Sequence, residues 1–277
     1  MTHWIFSSQA ATRLRDLKTG QTNLFDAALR HAQEVTTVSW DGTQFDPRGL
    51  ERISGDEVVV YGGHPFLDAL RAWRPDWASG IFHDPGALSA GRVIDALGPL
   101  ALNHDAQAML LEGARDRIAS GETLFLRPDL GDKAFSGGTF GPEDLTDLPD
   151  TPDLAVIAAP IRDITAEFRF VIIDGEVATG SQYARDGKLD VRFDVDAACR
   201  ARAREAALIY APAAVYVCDV AMTREGPRVI EYNSFSSSGL YACDGVAIAR
   251  GIEALVASRP APSHTDTDRV PHQDMLP

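Results

Sequence analysis

The sequence predicts an α+β protein: a small α/β layer domain followed by a larger part built mostly from antiparallel sheets. Three observations carry this. Through about the first hundred residues, β-rich runs alternate with stretches whose apolar residues recur at helical spacing. Beyond residue 103 the strand-like runs come in pairs, and one pair is joined by Asp174-Gly175, the dipeptide of a two-residue type I′ turn. A chain of 277 residues with 45% hydrophobic content is long enough for one large or two medium domains with a buried core.

In the N-terminal part, WIFSS reads as an opening strand. NLFDAALRHAQEV reads as a helix with Asn23 as its N-cap. VTTVSW and EVVVYGG read as strands, and PFLDALRAW as a helix with Pro65 in its first turn. GALSAGRVIDALG is a further helix closed by Gly98. Gly62-Gly63 follows a strand and precedes a helix, a place for a tight turn or a close approach to a ligand.

The expected boundary lies near residue 103, giving domains at 1–103 and 104–258. NHDAQAMLLEGARDRIAS is predicted to be one long amphipathic helix. TLFLRPD and DLAVIAAPI are strands on either side of a glycine-rich loop, and EFRFVIIDGEVATGSQYA is a hairpin. DAACRARAREAALIY is a helix, VYVCDVAMTREGPRVIEYNSFSSSG an apolar hairpin, and DGVAIARGIEALVAS the last helix. The tail, 259–277, is rich in Pro, Ser, Thr, Asp and His and is expected to be disordered.

The net charge of -14 argues against a duplex-nucleic-acid or anionic-membrane surface. No apolar run approaches the roughly 20 residues that span a bilayer. The first residues lack a basic start followed by an apolar block, so no secretory leader is expected. Three widely spaced cysteines, Cys199, Cys218 and Cys243, suit reduced thiols in a cytoplasmic protein and read as small buried hydrophobes. The histidines at 31, 64, 83 and 104 are isolated in sequence and read as surface or satisfied core residues.

The hairpin at 215–239 poses the chemical question. With Arg224-Glu225-Gly226 as a three-residue loop, Ala221 faces Val229 and Asp219 faces Glu231, and alternation puts Asp219, Glu231 and Asn233 on one face. Facing carboxylates repel, and in apolar surroundings one of them takes up a proton. A divalent cation between them reverses that repulsion. Two carboxylates and an amide carbonyl suit Mg²⁺ or Mn²⁺, with phosphate oxygens and water completing the shell. The other reading is an edge ribbon whose polar face meets water. Val215 and Val217 share the face with Asp219, which sets it apart from a plain solvated one.

A metal held by so few protein groups implies a polyphosphate partner. Arg127 ends the strand TLFLRPD, and RPDLGDKAFSGG follows with Lys133, Ser136 and Gly137. Such a loop either brings backbone N–H groups and a point charge to phosphate or is simply a turn. In EFRF, Glu167 and Arg169 share one face of a strand. They form a same-strand ion pair, or Arg169 stabilises charge on a transferring phosphate.

Taken together, FLRPDLGDKAFSGG, VIAAPI, AEFRFVIIDGEVATGSQY and VCDVAMTREGPRVIEYNSFSSSGLYACD resemble the ATP-grasp superfamily. Within it they resemble a divergent clade named for its arginine and lysine signature, related to a eukaryotic assembly factor for a translation-initiation complex. The resemblance spans roughly residues 100 to 255. It implies ATP between two antiparallel α+β lobes, preceded by a small α/β domain. Arg127 and Lys133 would contact phosphate, with the loop through Ser136 and Gly137 covering it. Backbone groups at Pro160 and Ile161 would read adenine, although AAPI lacks the acidic residue that such hinges often use on ribose. Glu167 would lie in the nucleotide site, and Arg169 would face the γ-phosphate and the acceptor. Asp219, Glu231 and Asn233 would hold Mg²⁺. Ser234 to Ser238 and Tyr241 would line the acceptor side. The implied activity is ATP-dependent carboxylate–amine ligation through an acyl-phosphate, with an unidentified carboxylate, amine or protein acceptor. The alternative is an ATP-binding assembly or regulatory module without transfer.

Overall fold

The computed structural model describes residues 2–15, 22–31, 34–53, 57–131 and 134–258. The first sheet is parallel, in the order β2-β1-β3, with β1 at His3–Ser7, β2 at Glu34–Val38 and β3 at Val58–Tyr61. Parallel neighbours need crossover connections. Helices α1 (Ser8–Arg15) and α2 (Leu24–His31) lie between β1 and β2, and α3 (His64–Trp73) follows β3. Asn23 caps α2 as expected, its Oδ1 accepting from the Asp26 N–H at 2.9 Å.

Strands β1 and β3 are covered on both faces, which explains their nearly unbroken apolar runs, whereas β2 at the edge leaves Glu34 and Thr37 exposed. Trp4, Phe6, Val59 and Tyr61 face α1, α2 and the C-terminal helix. Ile5, Val58 and Val60 face Phe66, Leu67 and Leu70 of α3.

A second sheet is antiparallel, in the order β4-β7-β5-β6: β4 Gln107–Leu110, β5 Leu124–Pro128, β6 Gly138–Phe140 and β7 Ala155–Ala159. Here the expected long helix over 103–120 is corrected. Only Leu111–Ala119 is helical (α5), because β7 captures residues 107–110 by backbone pairing and the Leu111 N–H donates to Leu154 O at 2.8 Å. Leu111, Ala114 and Ile118 of α5 pack on Leu124, Leu126, Val156 and Ala158.

The third sheet, also antiparallel, runs β10-β9-β8-β11-β12: β8 Ala166–Ile173, β9 Glu176–Arg185, β10 Lys188–Arg192, β11 Val215–Thr223 and β12 Gly226–Ser234. Asp174 and Gly175 have φ of 49° and 78°, the left-handed pair a type I′ turn demands. Asp186 and Gly187 repeat it, at 49° and 71°, and create β10, a strand not expected from the sequence despite the same dipeptide. In the last hairpin Asp219 does face Glu231. Ala221, however, faces Arg228 rather than Val229, because the register shifts between Asp219 and Val220.

Alternation divides this sheet's side chains between two cores. Phe168, Phe170, Ile172, Tyr216, Cys218 and Val220 pack under α4 (Ala90–Leu97) and α6 (Ala197–Ile209). Val171, Ile173, Val215 and Val217 pack under α7 (Gly245–Ala257), α2 and the parallel sheet. The three cysteines are free and buried, and burial pushes the Cys199 and Cys243 thiols up to about 12. Among the described residues, no helix is long and apolar enough to cross a membrane.

Candidate active site

Three neighbouring strands place three charges in a row. Arg169 on β8 lies opposite Asp219 on β11, which lies opposite Glu231 on β12. All three share the sheet face of Val215 and Val217, and Asn233 joins them one alternation along β12. The face is apolar around them, so each charge needs a partner.

Each has one. Arg169 meets Asp219 with two parallel contacts, Nε to Oδ1 at 2.8 Å and Nη2 to Oδ2 at 2.6 Å. Arg127 crosses from the end of β5 to Glu231, Nη1 to Oε2 at 2.6 Å. The Asn233 amide donates to Glu231 Oε1 at 2.8 Å and to Asp219 Oδ2 at 3.3 Å. The two facing carboxyls split. Burial raises the Asp219 pKa, against the pull of Arg169. Burial also disfavours ionised Glu231, but Arg127 and the Asn233 amide outweigh it and hold that carboxyl below its ordinary value.

Arg169 is further fixed by its third nitrogen, which donates to Gly239 O at 2.6 Å. Its guanidinium carbon lies 5.6 Å from the Tyr183 ring and 5.1 Å from that of Tyr241, within cation–π range. Those rings stack on each other at 4.9 Å. Tyr241 adopts φ of 48°, a left-handed conformation that costs a non-glycine residue about 1 kcal/mol or more. Glu167 shares the Arg169 face as expected, and its Oε2 accepts from the Tyr183 hydroxyl at 2.8 Å.

These groups border a cavity of about 440 Å³. Arg127, Arg169, Glu231 and Asn233 line it, with Ser234, Ser237, Ser238 and Tyr241. Gly131 lines it too, whereas Lys133 lies outside the described residues. Ser136 and Gly137 are exposed on the connection to β6, where a Cβ on Gly137 would sit 3.1 Å from the Arg127 Cβ. Pro160 and Ile161 are exposed just past β7 and are not part of the cavity wall.

The opposite wall comes from the N-terminal unit, where the sequence alone offered only Gly62-Gly63 as a tight turn or a close approach to a ligand. Arg13, Tyr61, Gly62, His64 and His83 line the cavity. The reading of His64 and His83 as isolated is corrected: their rings stack at 4.4 Å, and His64 Nε2 lies 2.7 Å from Ser237 Oγ. Burial, then the neighbouring His64, lowers the His83 pKa to about 4. A signal did exist. His64 follows the carboxyl end of a parallel strand, where α/β sheets place ligand sites.

The serine run is anchored to that wall. Ser234 Oγ donates to Phe82 O at 2.9 Å, the Phe82 N–H donates to Ser236 Oγ at 3.0 Å, and the Gly62 N–H donates to Ser236 O at 2.8 Å. The Tyr61 hydroxyl donates to Ser238 O. Gly62 is glycine for space, since a Cβ there would lie 2.3 Å from the Phe66 ring.

Among the described residues, no three His, Cys, Asp or Glu side chains cluster as a metal site. The donor set is instead two carboxylates and one amide, all oxygen, which suits a hard divalent cation. Glu231 and Asn233 face the cavity, while Asp219, 1% exposed, lies behind with both oxygens engaged by Arg169. Of this set, Glu231 and Asn233 are the members that could meet such an ion from the cavity.

Two antiparallel sheets flanking a cavity lined by arginines and oxygen donors, after a small parallel α/β unit, define an ATP-grasp fold. The chain belongs to an ATP-grasp domain family, the third of the clade named for its arginines and lysine, whose model matches residues 83–252. Solved structures share the fold at low identity. The D-cycloserine synthetase DcsG superposes with a TM-score of 0.56 at 13% identity, covering 92% of this chain and 99% of that one. The ATP-grasp ligase PsnB, complexed with a minimal precursor, gives 0.54 at 13%, covering 92% and 99%. The D-alanine–D-alanine ligase of Bacillus anthracis, complexed with ATP, gives 0.50 at 13%, covering 84% and 86%. No curated protein matches the chain.

Proposed function

We propose that this protein is a Mg²⁺·ATP-dependent carboxylate–amine ligase. One observation carries the reading: carboxylates face each other on β11 and β12, each paired to an arginine, and Glu231, Asn233 and both arginines line a single cavity with Asp219 directly behind. Glu231, Asn233 and Asp219 would hold Mg²⁺, which when bound offsets phosphate charge and fixes its orientation. Arg127, Arg169 and Lys133 would receive phosphate oxygens. The adenine would lie toward Pro160 and Ile161, and the loop that carries Ser136 and Gly137 would cover the phosphates.

The chemistry follows from charge. A substrate carboxylate takes the γ-phosphoryl group of ATP, giving an acyl-phosphate and ADP. An amine then attacks the acyl carbon, and phosphate leaves with formation of an amide. Arg169 stabilises the charge shared between the transferring group and the acceptor. The acceptor would enter the cavity along the rim that Ser237, Ser238, His64 and Tyr241 form.

The test couples ADP release to hydroxylamine trapping across a panel of amino acids and short peptides. Hydroxylamine captures an acyl-phosphate as a hydroxamate whatever the natural amine is. Hydroxamate formed in step with ADP supports the ligase. ATP bound by the protein with no ADP released across the panel points instead to an assembly or regulatory module.

A further inference from the structure

The two arginines suited to phosphate and the two carboxylates suited to metal are bound to one another: Arg127 to Glu231 at 2.6 Å and Arg169 to Asp219 at 2.6 Å. The pairs are largely shielded, with side-chain exposures of 14% and 24% for the first and 11% and 1% for the second. Screening by water is therefore weak, and the charges compete strongly for partners.

We propose that the site loads by partner exchange, in which each carboxylate hands its arginine to phosphate as it takes up the metal ion. This deepens the nucleotide reading above and rests on it. A cation arriving alone must share Glu231 with Arg127, and a guanidinium and a dication on one carboxylate repel. A nucleotide arriving alone must draw Arg127 away from Glu231 and leave that largely shielded carboxylate uncompensated, which is costly. Arriving together, each relieves the other's cost. Glu231 thus has two jobs: it positions Arg127 through the ion pair, and it receives the cation. The order of exchange follows from burial. Arg127–Glu231 faces the cavity and yields first, while Arg169–Asp219 is held by Gly239, Tyr183 and Tyr241 as well.

The exchange makes an unusual demand of a metal-ligand variant. Glu231→Gln keeps the side-chain shape and an acceptor for the Asn233 amide, but it releases Arg127. Calorimetric titration with ATP in excess EDTA should show about tenfold tighter binding to Glu231→Gln than to the unmodified protein, the factor set by freeing one guanidinium near phosphate. The gain from adding Mg²⁺ should at the same time largely vanish. A double-mutant cycle separates exchange from a general field effect. In an Arg127→Gln background, Glu231→Gln should give no gain in metal-free ATP binding. Thermal unfolding of each variant checks folding, and Asp219→Asn, whose pair is the more buried, serves as the second arm with a smaller expected gain. An equal gain with and without Arg127, or no gain at all beside intact Mg·ATP binding, overturns the exchange and leaves the nucleotide site standing. No ATP binding by the unmodified protein, with or without Mg²⁺, overturns both.

Discussion

Arg169 and Asp219 form a fork-to-fork pair buried in the sheet, with Nε–Oδ1 and Nη2–Oδ2 distances of 2.8 and 2.6 Å. The contact joins β8 to β11, and through Gly239 O it also ties the sheet to the segment leading into α7. One ion pair therefore sets both the floor of the cavity and the position of its lip.

Breaking that pair is expected to be costly. Asp219→Asn turns an NH₂ group toward one guanidinium N–H and leaves Arg169 uncompensated. Buried charges stripped of a partner destabilise by about 3–5 kcal/mol. Urea unfolding of Asp219→Asn should show a loss of that order. Arg169→Lys should recover little of it, since a single ammonium cannot span both oxygens or lie flat near the tyrosines. A loss under about 1 kcal/mol in both variants would mean that the pair contributes no more than an exposed one.

Ser236 is expected to matter for structure rather than for acceptor binding. It is fully buried, and its Oγ accepts the Phe82 N–H at 3.0 Å. Ser236→Ala orphans that donor in the core, at a cost of about 1–3 kcal/mol. Ser237→Ala, at a hydroxyl that lines the cavity and contacts His64, should cost well under about 1 kcal/mol. Guanidinium melts of the two variants compare them directly, and equal costs would refute the distinction.

The contrast between these serines marks where the sequence was legible. Period-two alternation and a turn dipeptide are local, so the sequence alone could put Asp219, Glu231 and Asn233 on one face. Arg127 and Arg169 followed from their places on strands. The wall formed by Tyr61, His64 and His83 was marked in the sequence only by its place after a parallel strand; which residues it meets could not be read, because it forms through packing of the N-terminal unit against residues more than 150 positions away. The helix expected at 103–120 failed for the same kind of reason. Its apolar spacing suited a helix, but pairing with β7, which no local pattern encodes, claimed its first half.

Two glycines are expected to respond oppositely to alanine. A Cβ on Gly80 would sit 1.7 Å from the Val58 carbonyl oxygen, and backbone in a buried strand cannot yield by that amount. Gly80→Ala should lose more than about 4 kcal/mol or fail to accumulate as folded protein. Gly113 lies exposed in α5 with nothing within 4 Å of an added methyl, and Gly113→Ala should gain about 0.5 kcal/mol through reduced chain entropy. Thermal unfolding of the pair reads both signs in one experiment.

The stacked histidines should make stability depend on pH over a defined window. Burial and His64 depress the His83 pKa from 6.5 to about 4, with Arg71 acting in the same sense and Asp68 and Asp84 opposing. The folded protein therefore resists a proton that the unfolded chain accepts. Between pH 6.5 and about 4 the unfolded state binds more protons, so stability falls as pH falls, and below about pH 4 this contribution levels off. The loss across the window should be on the order of 3 kcal/mol. Ordinary carboxylates titrate in its lower half and Asp219, raised to about 6, in its upper half, so only the difference between the unmodified protein and His83→Gln isolates the ring. Denaturant unfolding at half-unit pH steps should show a shallower decline for the variant between about pH 6.5 and 5. Parallel profiles over that interval would show that the ring is as free to protonate folded as unfolded, and that its stack with His64 does not govern its charge.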